Sequence, residues 1–436
     1  MNQVRSPAFS AKHICKKNKY YSKQMTDTLT LLHNLRLYIE TYGCTYNFGD
    51  SAKLIEIAKA QGCTIVENPR EAEAVLINTC IVIDKTEQHM YERLTLFANK
   101  KLFVTGCLLP VAESRLRSLF PDAVLIPDVA IHPCWRAVGT VAQNSRTAVL
   151  QIARGCPGHC TYCITRLARG RLASFSMEDI TAQAKAFAAA GCTELQVTAQ
   201  DTTAWGMDFG EDGPRLPDLL RELCKIDGDF KIRIGMANPD TLLPILDDFL
   251  DALADEKIFL FLHIPVQSGS DAVLKLMGRR YTAEQYEYII KKARGRYPDI
   301  RICTDYIAGF SSETDADADI SVGQVLRTRP GKVNITRFSV RPKTPAAKMK
   351  RVPEPVKKAR SKALTDAVNQ IYDETCNAWI GRVVDCVVTE TVKPGSVTAR
   401  DRTYQNIVIG EDLAIGTKCR VLITGHRRHY LLARRV

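Results

Sequence analysis

The chain has 436 residues, too many for one ordinary domain, and 45% of them are hydrophobic, enough for a substantial core. Its formal net charge of +12 suits a polyanionic partner such as RNA, with a merely basic soluble protein as the plain alternative. Fifteen cysteines, an odd number with no visible signal peptide, fit metal ligation or redox chemistry in a reducing cytosol better than a secreted disulfide framework, and no apolar run reaches the ~18 residues that cross a membrane.

Residues 1–35 read as a basic extension. Lys12, Lys16, Lys17, Lys19 and Lys23 precede the first acid, Asp27, and hydrophobic periodicity is poor, so disorder is the default. An RNA-binding arm, a transit peptide, or a start placed too early with Met25 as the true start are the alternatives.

Residues 36–140 alternate strands and helices. Leu37–Glu40, Ala74–Asn78 and Leu102–Gly106 are strand-like, and Gly49–Gln61 has helical spacing through Leu54, Ile57 and Ala58. Such alternation predicts a small parallel sheet. Cys44, Cys80 and Cys107 each follow one of these strands. Residues just past the carboxyl ends of parallel strands converge on one edge, so the three can meet at one cluster; separate buried structural thiols fit the composition too.

Residues 147–375 repeat the pattern at larger scale. Strands are expected at Ala148–Ile152, Glu194–Thr198, Lys231–Gly235, Phe259–His263, Arg301–Ile307 and Lys332–Thr336, with helices such as Met177–Ala190 and Ala283–Arg294 between them. Six βα units predict a partial (β/α)6 barrel, whose chemistry belongs at the carboxyl ends of its strands. There, after the first strand, stands Arg154-Gly155-Cys156-Pro157-Gly158-His159-Cys160-Thr161-Tyr162-Cys163. Three thiolates at C-x3-C-x2-C spacing can bind three irons of a 4Fe–4S cube and leave the fourth open to a substrate-like ligand. A zinc ribbon or buried apolar thiols are the alternatives, but zinc loops pair C-x2-C units and no second pair exists here.

Residues 379–436 change character. Arg382–Glu390, Ser396–Arg400, Gln405–Ile409 and Arg420–Thr424 alternate with turns at Pro394-Gly395 and Gly410-Glu411, which predicts a small antiparallel barrel. It holds ten Lys/Arg against five Asp/Glu, as an RNA-binding barrel would; a solubilising cap is the other reading.

These motifs carry a resemblance. Glu40-Thr41-Tyr42-Gly43-Cys44 with Asn47, Asn78-Thr79-Cys80 with Thr86-Glu87, Thr105-Gly106-Cys107, and the Arg-Gly-Cys loop followed by Arg169-Gly170-Arg171 look like the radical S-adenosylmethionine (SAM) methylthiotransferases. That family ends in a TRAM domain, an RNA-binding barrel, which residues 379–436 resemble. The resemblance implies an auxiliary 4Fe–4S cluster on Cys44, Cys80 and Cys107, and a SAM-cleaving cluster on Cys156, Cys160 and Cys163. It implies SAM contacts near Gln200 and Asp201, in the Ile232–Pro239 segment, and in Leu262–Ser270 with Gln267. Tyr162 is placed to stack on adenine. His263 is either part of that site or an ordinary strand-end histidine. Two places depart from the family pattern. Gly309-Phe310-Ser311-Ser312-Glu313-Thr314 stands where the family usually has Gly-Phe-Pro-Gly-Glu-Thr, a change expected to loosen the turn. Ser174-Phe175-Ser176 after Arg171 is also unusual.

Phe338-Ser339-Val340-Arg341-Pro342, Thr344–Met349 and Tyr42–Asn47 look most like the archaeal and eukaryotic-type tRNA branch. That branch implies methylthiolation of carbon 2 of threonylcarbamoyl-adenosine at position 37, with tRNA and an electron donor such as flavodoxin or ferredoxin as partners, in the cytoplasm. Isopentenyl-adenosine in tRNA or a ribosomal-protein aspartate are the alternative substrates. A non-catalytic, metal-containing RNA-binding protein is the rival of another class; it needs no SAM pocket.

Overall fold

In the computed structural model, which describes residues 28–131, 141 and 146–436, the first apolar runs become parallel strands. β1 (Arg36–Thr41), β2 (Thr64–Ile65), β3 (Ala74–Thr79), β4 (Lys101–Gly106) and β5 (Val124–Leu125) form one sheet in the order β2-β1-β3-β4-β5. Every pairing is parallel. β3 is buried along its whole length, as a strand covered on both faces must be. The helix Thr45–Ala60 makes the first crossover and packs Leu54 and Ala58 into a core with Leu37, Ala74, Leu76 and Phe103. Leu29 and Leu32 belong to the same core, so residues 28–35 are part of the folded unit rather than of an extension. The other residues of the expected extension, 1–27, lie outside the described residues.

The chain divides into two compact units. One is this sheet domain together with Leu167–Arg169; the other is the remainder from Val141 onward. In the second unit six strands run in chain order: β6 (Thr147–Gln151), β7 (Glu194–Thr198), β8 (Lys231–Ile234), β9 (Phe261–His263), β10 (Arg301–Ala308) and β11 (Lys332–Arg337). β6, β7 and β8 pair in parallel, as do β9, β10 and β11. Single bridges, Ile232 to Ile258 and Met236 to His263, join the two sets. This is the six-stranded series of the expected partial barrel. Leu195, Val197, Ile232, Ile234 and Leu262 share a core with Ile180, Leu219 and Ile289 of the surrounding helices. Strand alternation turns Gln196, Arg233, His263 and Asp305 to the opposite face.

The last five strands, β12 (Val383–Lys393), β13 (Ser396–Arg400), β14 (Asn406–Ile409), β15 (Lys418–Arg427) and β16 (Tyr430–Arg435), close a barrel in the order β12-β13-β14-β16-β15. The expected barrel was wholly antiparallel. Four pairings are, but β14 and β16 run parallel. Geometry requires it: a ring of five strands cannot alternate direction throughout. The fifth strand was absent from the expected set because its basic end masks Leu431, which is fully buried.

The turn between β13 and β14 docks on the amino-terminal ends of the larger barrel's strands. The Tyr404 hydroxyl donates to Glu194 Oε1 at 2.7 Å, and its ring lies 4.8 Å from Phe259 and 5.2 Å from Phe261. Leu260 N donates to the Arg402 carbonyl at 2.8 Å, and Arg301 Nη1 to that of Tyr404 at 2.9 Å. Cys156 stands past the opposite strand ends, after β6. No helix among the described residues is long and apolar enough to cross a membrane.

Candidate functional site: two cysteine triads

β1, β3 and β4 are adjacent, with Thr41 opposite Asn78 and Thr79 opposite Gly106. Cys44, Cys80 and Cys107 therefore leave three neighbouring carboxyl ends, as parallel pairing predicts. Gly106 turns the chain off β4 with φ +90°; a Cβ there would stand 2.3 Å from the Thr79 carbonyl oxygen. Cys44 is exposed while Cys80 and Cys107 are buried, and Cys44 couples electrostatically to both. Burial pushes the Cys80 thiol up and that of Cys107 to about 11, with Arg169 opposing. Thiols raised in this way would be held as thiolates only with a metal bound to them.

Arg169 organises the floor of this triad. It is 1% exposed and donates to Asp50 Oδ2 at 2.7 Å, Asn47 Oδ1 at 2.7 Å and Asp128 Oδ2 at 3.3 Å. Its guanidinium also lies over the Tyr46 ring at 4.8 Å. Asn47 Nδ2 donates to the carbonyls of Tyr42 and Thr79, and Cys107 Sγ lies 3.7 Å from Asn47 Oδ1. The amide thus ties two of the cysteine-bearing turns together.

In the second unit, Gly155 sets up the other triad. Its φ is +75°, and a Cβ would stand 2.0 Å from the Arg171 carbonyl oxygen. Its N–H donates to Gln200 Oε1 at 2.6 Å. Thr161 is held three ways: its N–H by the Met277 carbonyl at 2.9 Å, its hydroxyl by that of Leu276 at 2.8 Å, and its carbonyl by Ala346 N at 2.9 Å. Gly158 N donates to Cys156 Sγ at 3.3 Å. Burial pushes Cys156 to about 12 and raises Cys163, and the three cysteines bear on one another electrostatically. Among the described residues no three side chains converge on a single metal ion. A cubic cluster asks for something else, one iron per thiolate, and two all-sulfur triads are the donor set it prefers.

The remaining expected residues surround this loop. Asp201 is buried, accepts from the hydroxyls of Thr203 at 2.8 Å and Thr241 at 3.0 Å, and is raised chiefly by burial. Gln267 holds φ +72°, a left-handed conformation fixed by its N–H to the Asp305 carbonyl and its carbonyl to Ile307 N. Tyr162 packs edge-on to Phe310 at 6.1 Å. His263 Nε2 sits 3.2 Å from Asp305 Oδ1, which also accepts from Asn334 Nδ2 at 2.7 Å. The Gly309–Thr314 turn is not loose: Gly309 N and Arg360 Nη1 both donate to Glu313 Oε2, at 2.8 and 2.9 Å. Arg279, whose Nη1 donates to Cys160 Sγ at 3.2 Å, was missed by sequence reading because it lies 119 positions from the cysteine it touches. Arg169 stood in a noted motif, but no spacing signals its acid partners.

The radical SAM superfamily profile matches residues 150–322, and that of the uncharacterized protein family UPF0004 matches residues 36–127. A protein of Archaeoglobus fulgidus named probable threonylcarbamoyladenosine tRNA methylthiotransferase is 36% identical over 423 residues, 91% of this chain and 98% of its own. One of the same name from Pyrococcus horikoshii is 37% identical over 402 residues, 86% and 94% of the two chains. Among solved structures, the radical SAM methyltransferase TsrM of Kitasatospora setae shares the fold, with a TM-score of 0.53 at 13% identity over 72% of this chain and 77% of its own. The superfamily match implies SAM and a 4Fe–4S cluster. With both profiles in tandem and relatives matched across nearly their whole length, this chain belongs to the radical SAM methylthiotransferase family.

Proposed function

We propose that this protein adds a methylthio group to carbon 2 of threonylcarbamoyl-adenosine at position 37 of tRNA. The observation that carries the reading is the full-length match to relatives of that name, on a chain that has both cysteine triads at strand ends. Cys156, Cys160 and Cys163 would hold the cluster that binds SAM, and Cys44, Cys80 and Cys107 a second one. When bound, these groups would supply the electron that cleaves SAM to a 5′-deoxyadenosyl radical and would present the sulfur for transfer, a second SAM supplying its methyl group.

The substrate explains why such groups are needed: carbon 2 of adenine bears an unactivated C–H bond that side-chain acids and bases cannot usefully break. The chain's own residues then have the task of placement. Gln200 fixes Gly155 and with it the first cysteine. Asp201 is locked by Thr203 and Thr241 and bears electrostatically on Cys156. Gln267 and Tyr162 are the proposed SAM contacts. The carboxyl-terminal barrel is proposed to be a TRAM domain that binds tRNA through Arg427, Arg428 and Arg434, which are exposed. An electron donor of the flavodoxin or ferredoxin type is the proposed second partner.

Two measurements test this. Anaerobically reconstituted protein should hold about eight irons, and about four after Cys156, Cys160 and Cys163 are replaced by Ala; stoichiometric zinc would overturn the ligand reading. Nucleosides from cells lacking the protein should retain threonylcarbamoyl-adenosine and lose its 2-methylthio form. Loss of the 2-methylthio form of isopentenyl-adenosine instead would reassign the substrate.

A further inference from the structure

Arg279 stands just past the helix Asp271–Leu276, after Gly278 at φ +70°. Its three donor groups are all engaged. Nη1 donates to Cys160 Sγ at 3.2 Å, Nε to the Tyr281 hydroxyl at 2.8 Å, and Nη2 to the Pro265 carbonyl at 3.3 Å. The Tyr281 hydroxyl donates onward to the Val266 carbonyl at 2.8 Å, which fixes it as the acceptor for Nε. None of these partners is a carboxylate. The groups bearing most on the guanidinium are Tyr162, Tyr281 and Cys160. Arg279 is half-buried and Asp201 also bears on it electrostatically, but its hydrogen bonds go to neutral acceptors and to a sulfur, and a partly desolvated cation gains from an anion at that sulfur. The sulfur within its reach is Cys160 Sγ.

The same turn grips the cysteine loop by its backbone. The carbonyls of Leu276 and Met277 accept from Thr161, and a Cβ at Gly278 would stand 3.1 Å from the His159 carbonyl oxygen. The register between guanidinium and Cys160 is therefore set on both sides by main-chain contacts, not by a free side chain reaching across.

We infer that Arg279 is a positioning residue whose charge and N–H favour reduction of the cluster held in part by Cys160. The inference rests on the reading of Cys160 as an iron ligand. Reduction adds one electron to the cluster and makes or breaks no bond, so it adds one negative charge. A fixed cation donating to a ligand sulfur stabilises that charge, and hydrogen bonds to cluster sulfurs tune the potential.

The test is a redox titration of the full-length, reconstituted protein with dithionite, followed by electron paramagnetic resonance. The signal perturbed by added SAM identifies the barrel cluster. Arg279→Gln should keep its iron while the midpoint of that signal moves about 59 mV more negative, a tenfold change in a one-electron equilibrium. The other cluster's midpoint should not move, and Arg279→Lys should restore most of the shift. An unshifted midpoint in Arg279→Gln with full iron would reduce Arg279 to a brace and overturn the inference. Should Arg279→Gln lose iron, Arg279→Lys decides: iron and midpoint kept support it, and iron lost overturns it. A wild-type protein with no SAM-sensitive signal would overturn the ligand reading itself, and the inference with it.

Discussion

Ser312 holds a φ of +64°, a conformation that costs a residue with a Cβ roughly 1–2 kcal/mol. The family usually has glycine there. The turn nevertheless keeps its shape, because Ser312 N donates to the Lys350 carbonyl at 3.0 Å and Arg360 anchors Glu313 at 2.9 Å. Ser312→Gly should therefore raise stability by about 0.5–1 kcal/mol, the strain relieved less the entropy glycine loses on folding. Urea unfolding checks it, and a less stable variant would contradict it. His263 gives a pH signature. Burial is the largest single influence and works against its charge, but Asp305 and Cys303 together outweigh it and lift His263 from 6.5 to about 9, while Asp305 is lowered by the same pairing. A group raised on folding stabilises fully below its unfolded pKa and loses that contribution as pH climbs through the folded one. His263→Gln should thus cost most stability near pH 6 and little above pH 9 by urea midpoints, given the shift from 6.5 to about 9. Equal losses at both would remove the ion pair from the account.

The short helix Thr165–Arg169 matters less for its length than for where it ends. Arg169 meets two carboxylates, an amide and a ring, all inside the amino-terminal unit. Lys53, lowered to about 8 chiefly by burial, adds a second cation beside Asp50. Removing one member of a buried ion network costs about 3–5 kcal/mol. Arg169→Met should lower the stability of that unit by this order, and Arg169→Lys should recover only part of it, since an ammonium cannot fork between Asp50 and Asn47. Hydrogen-exchange protection of β1, β3 and β4 is the measurement; unchanged protection would make the network incidental.

At the scale of the molecule, the docked turn makes truncation a poor test of RNA binding. Cutting the chain after Ala378 would strip Tyr404 from Phe259 and Phe261 and take two carbonyl acceptors, those of Tyr404 and His429, from Arg301. Charge reversal avoids this. Arg427→Glu, Arg428→Glu and Arg434→Glu together should weaken tRNA binding at low salt, and the loss should shrink as salt rises, because contacts to phosphate act through counterion release. Equal affinity at low salt would leave the barrel a structural cap. The sequence by itself determined the parallel sheets, because strand period and the alternation of strands with helices are local properties; it also put Cys44, Cys80 and Cys107 just past strands, and parallel pairing brings those strand ends to one edge. It determined neither the parallel closure of the five-stranded barrel nor the partners of Arg169, Arg279 and Tyr404. Those contacts join residues 119 or more positions apart in the cases of Arg169 with Asp50, Arg279 with Cys160 and Tyr404 with Glu194. Only the packed chain brings them within reach, and a buried charge takes its meaning from the neighbours that packing supplies.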